Sequence, residues 1–258
     1  RACEQGVVHA EIFFDPQAHT ARGVAFETVI DGLWSAVRES EQRYGITSKL
    51  IVCFLRDRSA ESAMATLEQA LPYGERIIAV GLDSAEVGHP PSKFRHVFER
   101  ALAEGWKTVA HAGEEGPPRY VWEALDLLRV SRVDHGVRSL EDPELVARLR
   151  DERIPLTVCP LSNVKLRVVD TLRDHPLARM LEQRLVATVN SDDPAYFGGF
   201  AGGNFAAVAD ALDLPPSALV TLARNSFEAS FIDEPTRMSY LARLDAAARS
   251  LRAAATEV

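Results

Sequence analysis

Short apolar segments alternate with amphipathic segments along most of the chain, and this alternation restricts the fold more than any other feature of the sequence. Seven runs rich in Val, Ile, Leu or Phe have the composition of strands that are buried on both faces. They cover residues 7–13, 50–55, 77–82, 107–112, 132–135, 156–159 and 186–190. Because helical periodicity fills the intervals between them, the pattern predicts βα units and a parallel sheet.

The predicted helices fall into two groups. Those between the strands cover residues 25–43, 60–70, 92–104, 120–128, 142–153 and 176–183. The tail of the chain shows helical segments only, at residues 204–212, 216–230 and 236–254. We therefore expect extra C-terminal helices after the last strand.

Seven strand–helix units favour a (β/α)8 barrel of the TIM type, which has eight strands. Because the first apolar run begins only a few residues after Arg1, we expect the first barrel strand to precede this sequence. An open doubly wound sheet is the alternative, but it normally carries a Gly-rich phosphate turn after its first strand. Asp15-Pro16-Gln17 stands there instead. With no linker-like stretch, residues 1–258 are predicted to form a single, N-terminally incomplete domain.

Composition excludes several classes of function. The net charge of −8 argues against nucleic-acid binding, which needs a basic surface, but not against binding of a small nucleobase. No apolar run reaches the roughly 18 residues of a membrane span. Cys3, Cys53 and Cys159 are too few and too scattered for a disulfide framework. We expect a cytoplasmic protein; whether it forms a homo-oligomer stays open.

Histidines stand at the ends of two consecutive predicted strands, where parallel α/β folds carry their chemistry. His111 ends one strand and is followed by Glu114, and His135 ends the next strand. A neutral imidazole can bind a divalent metal or act as a base, and a nearby Glu can carry a proton. The alternatives are a structural His with a solvated acidic turn, and His135 hydrogen-bonded to Asp134.

Two adjacent carboxylates, Asp192 and Asp193, follow the last predicted strand. Carboxylates at the end of an apolar strand are costly to bury unless a partner such as a metal ion relieves the cost. The alternative is a helix start, with Asp as N-cap and Pro194 at the first position. One His and one Asp leave a catalytic zinc site incomplete, because such a site usually takes three or more protein ligands. A His-x-His pair on the expected upstream strand would complete it.

Four motifs in this order and spacing resemble the adenosine/adenine deaminase family of the amidohydrolase superfamily, most closely its bacterial and fungal adenine deaminases. The motifs are His111-Ala112-Gly113-Glu114, Asp134-His135-Gly136, Val158-Cys159-Pro160-Leu161-Ser162-Asn163 and Asn190-Ser191-Asp192-Asp193-Pro194. The resemblance covers essentially the whole chain. It implies a (β/α)8 barrel that holds one divalent metal, usually zinc. It also implies an enzyme that hydrolyses adenine to hypoxanthine and ammonia. The family's His-x-His pair of metal ligands does not occur in this sequence.

The same resemblance implies roles for individual residues. His111 and Asp192 correspond to metal ligands, Glu114 to the acid that protonates the purine ring, and His135 to the group that orients and deprotonates water. Asp193 corresponds to the residue that contacts the imidazole side of the purine. Glu86 stands where adenosine deaminases have Gly, so it is expected to crowd a ribose and to accept a hydrogen bond from a free purine.

One further residue is predicted to contact the substrate, and the identity of the substrate stays open. Ser84, in the same segment as Glu86, is also expected to contact the substrate. The substrate is predicted to be adenine, with adenosine or an N6-substituted aminopurine as alternatives. A catalytically silent homologue that binds purines is the third possibility.

Overall fold

The computed structural model describes residues 1–256, with side chains through Leu251. The chain forms two compact units, of which the first spans Arg1–Arg148 and the second begins at Leu149. In the first unit the main elements are β1 (His9–Phe14), α1 (Pro16–Thr20), α2 (Phe26–Tyr44), β2 (Thr47–Leu55), α3 (Ala60–Ala70), β3 (Ile77–Asp83), α4 (Arg95–Ala103), β4 (Lys107–Ala112), α5 (Pro118–Asp126) and β5 (Arg132–His135). Short 3₁₀ helices lie at Cys3–Gln5, Leu71–Tyr73, Pro91–Phe94 and Val137–Glu141.

The strands of the first unit pair in the order in which they occur in the chain. Each of β1 to β4 runs parallel to the strand that follows it. A doubly wound sheet would reverse its strand order at a switch point, whereas a barrel keeps sequential order. Because β1 to β5 show no reversal, the alternative of an open doubly wound sheet is excluded for this unit.

The centre of the first unit is apolar on both faces of its sheet. Residues 50–54 of β2 are five consecutive positions with no solvent exposure, as expected for a parallel strand covered on both sides. Ile30 of α2, Leu67 of α3 and Phe98 of α4 are also fully buried. Burial of each such side chain stabilises the fold by about 1.5–3 kcal/mol, which makes the sheet a rigid support for its strand ends.

The second unit contains two strands and most of the later helices. Helix α6 (Pro143–Asp151) spans the boundary, and the elements after it are β6 (Pro155–Val158), α7 (Pro160–Lys165), α8 (Leu177–Glu182), β7 (Val186–Val189), α9 (Pro194–Phe197), α10 (Ala201–Ala211), α11 (Pro216–Ala229) and α12 (Glu234–Thr256), with a 3₁₀ helix at Leu172–Asp174. β6 and β7 pair in parallel. Asn225 of α11 donates from Nδ2 to the Ala187 carbonyl of β7 at 2.8 Å, which fixes α11 on that strand.

The described residues contain the seven strands that the apolar runs predict, and helices α10 to α12 follow the last of them. Three short helices, α1, α7 and α9, were not predicted; each begins with Pro at its first position, where the missing N–H costs nothing. The predicted strand 156–159 ends one residue early because Cys159 is the N-cap of α7. The predicted helix 92–104 divides into a 3₁₀ turn and α4. No described helix has the length and apolar character to cross a membrane.

Candidate active site

The register of β4 and β5 brings the predicted histidines and their neighbours together. In this parallel pair His111 lies opposite Asp134, and Ala112 lies opposite His135. Because the C-terminal ends of parallel strands share one edge of the sheet, side chains from both strands and from the turn after β4 converge there. The ring centroids of His111 and His135 are 4.6 Å apart.

Carboxylates dominate the surroundings of His111. Its Nδ1 lies 3.5 Å from Oδ2 of Asp134, an ion-pair distance, and its side chain is 16% exposed. Burial lowers the pKa of His111, but Asp134, with smaller contributions from Asp83 and Glu114, outweighs burial and raises the pKa to about 10. An imidazole that holds a proton this strongly lies in a field that favours a cation. A carboxylate at Nδ1 also leaves Nε2 as the nitrogen that a metal would take.

Glu114 and His135 form the second pair in the cluster. Nδ1 of His135 lies 3.2 Å from Oε1 of Glu114, and both residues are buried. Glu114 is thus a carboxylate partner of His135, whereas Asp134, which the sequence alternative named, lies 3.5 Å from His111. His135 has a positive φ of 62°, an uncommon conformation for a residue with a side chain.

A sharp turn after β4 directs Glu114 back toward the strand ends. Gly113 has a φ of +71°, and a Cβ at this position would lie 2.8 Å from Cγ2 of Val121. A side chain is therefore excluded both by the backbone conformation and by the packing of α5. The turn therefore requires glycine at position 113.

The loop after β3 contributes Glu86 and Ser84, two of the three residues that were predicted to contact substrate. Glu86 is 2% exposed, and its carboxylate accepts backbone N–H bonds from all four residues of the 113–116 turn. Ser84 is exposed, has a φ of 72°, and donates from Oγ to Oδ1 of Asp57 at 3.1 Å. The two residues are therefore used differently, one inside the protein and one on its surface.

Two further carboxylates, Asp15 and Asp83, were not selected from the sequence although both directly follow or end strands. Oδ1 of each is buried and accepts no hydrogen bond. Burial, followed by repulsion from Asp15, raises the pKa of Asp83 well above its usual value. An unsatisfied Oδ1 on Asp83, whose charge acts on His111, fits a divalent cation, which binds imidazole nitrogen and carboxylate oxygen. The position of Asp15 and Asp83 at strand ends was the signal that could have found them.

In the second unit, the segment after β7 carries the remaining predicted residues. Asn190 donates from Nδ2 to Oγ1 of Thr188 at 2.8 Å and anchors the end of the strand. Asp192 is partly buried with a φ of 54°, and Asp193 is the N-cap residue of α9, directly before Pro194. Asp193 thus occupies the helix-start position that the sequence alternative described, although its side chain does not cap the first turn of α9.

Comparison with known proteins places the chain in a family. The pattern of the family described as adenosine deaminase matches residues 1–247. A protein from Streptomyces coelicolor named adenine deaminase is 65% identical over 248 residues, which cover 95% of this chain and 73% of that protein. The chain therefore belongs to the adenosine deaminase family, as its motifs predicted.

Two solved structures agree with this assignment. The crystal structure of adenine deaminase from Arthrobacter aurescens superposes with a TM-score of 0.95 at 50% identity, covering 96% of this chain and 76% of that one. An amidohydrolase from Burkholderia ambifaria, with bound Zn, gives a TM-score of 0.92 at 27% identity, covering 100% of this chain and 72% of that one. The predicted fold class, a parallel α/β fold of the TIM type, is confirmed.

Proposed function

We propose that this chain, within the full-length metal-loaded protein, catalyses the hydrolysis of adenine to hypoxanthine and ammonia. The observation that carries the proposal is the pairing of Glu114 with His135, 3.2 Å apart and beside the carboxylate-surrounded His111. The 65% identity to a protein named adenine deaminase supports the choice of adenine among aminopurines. The proposed location is the cytoplasm, which is consistent with a sequence of only three scattered cysteines.

Each residue takes the part that its chemistry allows. His135 orients the attacking water and accepts its proton, and Glu114 donates a proton to N1 of the purine, so that negative charge does not accumulate on the ring. The water oxygen forms the new bond to C6, the amino group takes the proton held by His135 and leaves as ammonia, and the new hydroxyl returns a proton to Glu114. We assign to Asp193 the contact with the imidazole side of the purine, and to Ser84 a contact at the rim.

A divalent cation, which we propose to be zinc, would supply hydroxide at neutral pH by lowering the pKa of water. We propose His111 and Asp192 as ligands from this chain, with two further histidines of the family's His-x-His type. The unsatisfied Oδ1 atoms of Asp15 and Asp83 support a cation at this strand edge of the first unit.

Turnover of adenine by the full-length, zinc-loaded protein tests the proposal directly. We expect loss of adenine absorbance with release of one ammonia per hypoxanthine. A panel that adds adenosine and N6-substituted adenines separates the alternative substrates by their kcat/KM values. Absence of turnover with every member of the panel, in protein that holds its metal, would leave a silent purine-binding homologue as the remaining interpretation.

Replacement of the proposed acid gives a sharper test. Glu114→Gln keeps the shape of the side chain but removes its acidic proton, so we expect kcat to fall by about 10²–10⁴-fold with the metal content unchanged. Glu115→Gln is the matched control, because it removes the same charge from an exposed side chain in the same turn. Equal kcat values for the two variants would remove Glu114 from the mechanism.

A further inference from the structure

The carboxylate of Glu86 accepts hydrogen bonds from four consecutive backbone amides in the turn after β4. Oε1 accepts from the N–H of Gly113 at 2.6 Å, and Oε2 accepts from Glu114, Glu115 and Gly116 at 3.0, 2.8 and 2.8 Å. These four donors are consecutive in the chain and 27 to 30 residues away from Glu86. Consecutive amides of this kind form a concave site for an anion, and here a side chain of the same protein occupies it.

Four amide donors satisfy the charge of this carboxylate: three of them converge on Oε2, and one bonds to Oε1, which keeps one lone pair. Charge-assisted bonds of this kind are stronger than those between neutral groups, and they compensate for the burial of the charge. A contact with substrate is therefore not needed to satisfy this carboxylate, which is 2% exposed and already bonded to four amides.

A buried cation supports the preceding part of the same segment. The Arg56 side chain has no solvent exposure and donates from Nη1 to the His111 carbonyl at 2.6 Å and from Nε to the His89 carbonyl at 2.9 Å. Burial lowers the pKa of Arg56, and the charge of Glu86 is the largest factor that opposes this shift. Arg56 thus binds the carbonyl group of His111, and Glu86 binds the amides of residues 113–116.

The end of the turn is shaped to admit the carboxylate. A Cβ on Gly116 would lie 2.5 Å from Oε1 of Glu86 and 2.6 Å from Cδ2 of Tyr120. Any side chain at this position must displace one of the two groups. A substitution here therefore disturbs the carboxylate without changing Glu86 itself.

We propose that Glu86 is a positioning residue that fixes the 113–116 turn and so holds the Glu114 carboxylate against His135 before substrate binds. This inference rests on the proposed function, in which Glu114 donates the proton. Proton transfer needs the donor within hydrogen-bond reach, and a misplacement of about 1 Å can reduce the rate by about 10²-fold. Glu86 acts through Glu114 and not on the purine.

Amide hydrogen exchange tests the structural half of the proposal without any assay of activity. Glu86→Gln preserves shape but places an NH2 group against at least one backbone donor, so we expect the amides of residues 113–116 to exchange about 10-fold faster or more. Amides of β2 serve as the internal reference and should not change. Gly116→Ala is the second variant, and it should produce the same local increase. Unchanged exchange at 113–116 in both variants would overturn the proposal.

Kinetics test the functional half through a double-mutant cycle in the full-length zinc-loaded protein. We expect Glu86→Gln to reduce kcat for adenine by about 10-fold or more with little change in KM, because the lost contact acts on proton transfer. In the Glu114→Gln background the same change should have almost no further effect, since the group that it positions is gone. Glu115→Gln, which leaves the backbone donors intact, should retain the parent kcat.

Three results would contradict a positioning role. Losses that multiply across the cycle, or a raised KM together with a changed adenine/adenosine preference, would assign Glu86 to substrate contact. A lower melting temperature with unchanged kcat would make its role structural only. If the parent protein turned over no aminopurine, the proposed function would fail, while the exchange experiment would still decide whether Glu86 fixes the turn.

Discussion

One buried histidine in each unit has a strongly shifted pKa, and the two shifts have opposite signs. At the end of β4, the pKa of His111 is raised to about 10. In the segment before α8, the pKa of His175 is lowered to about 4. The difference shows that burial alone does not decide the charge of a histidine, and that the groups facing the ring contribute as much.

The hydrogen bonds of His175 account for its neutral state. Its Nδ1 accepts from the backbone N–H of Leu177 at 3.1 Å, so Nε2 carries the proton and donates to Oδ1 of Asn163 at 3.2 Å. Burial is the only cause of its shift, and it disfavours the charged ring. His111 instead faces Asp134, which favours a positive charge. Carboxylates around a buried imidazole are therefore what distinguishes the candidate metal ligand from the structural histidine.

The largest difference between the two histidines is expected in zinc binding. We expect His111→Gln to reduce zinc affinity and kcat by more than about 10²-fold, since loss of a ligand should cost more than loss of a group that only orients one. Metal analysis and adenine turnover of the full-length protein measure the two effects. His175→Gln is the matched control and should keep one zinc per chain. A His111→Gln protein with full zinc content would contradict the assigned ligand.

Asp134 should have an intermediate effect, because it faces His111 without being a proposed ligand. Asp134→Asn keeps the shape but removes the charge near Nδ1 of His111, and we expect zinc affinity to fall by about 10–100-fold. The pKa of His111 in metal-free protein should fall as well, which NMR titration of the ring would detect. If neither quantity changed, the contrast between the two histidines would need another cause.

The smallest expected effect is on stability in acid and concerns His175. Its pKa is about 6.5 when unperturbed and about 4 in the folded chain, so the neutral ring contributes stability above pH 6.5 that is lost as the pH falls toward 4. Between these values the melting temperature of the parent should fall by about 5–10 °C more than that of His175→Gln. If the melting temperatures of the parent and of His175→Gln changed equally with pH, His175 would not titrate in this way.

Much of the fold could be predicted because apolar runs identify strands directly. All seven strands were found, and the histidines were noticed because polar residues at parallel strand ends are informative. The pairing of His111 with Asp134 could not be predicted, since it depends on the register between β4 and β5, which one sequence does not specify. Helices as short as α9 also escape detection, because four residues complete barely one turn.

Glu86 shows a second limit of sequence interpretation. Its position was recognised as unusual, but its four partners are backbone amides, which every residue type except Pro provides and which leave no mark in the sequence. Only Gly113 and Gly116 hint at the turn, and a glycine can have many causes. The role of a carboxylate in a loop after a strand is therefore ambiguous until its partners are known.

The bonds of Glu86 join the loop after β3 to the turn after β4, and this has a practical consequence for engineering. A library that randomises residues 84–91 to change the accepted purine would also vary the support of Glu114 whenever position 86 is included. Many inactive clones would then have a misplaced Glu114 carboxylate, and their pockets could still accept the purine. Libraries that keep Glu86 and Gly116 fixed should yield a larger share of active variants.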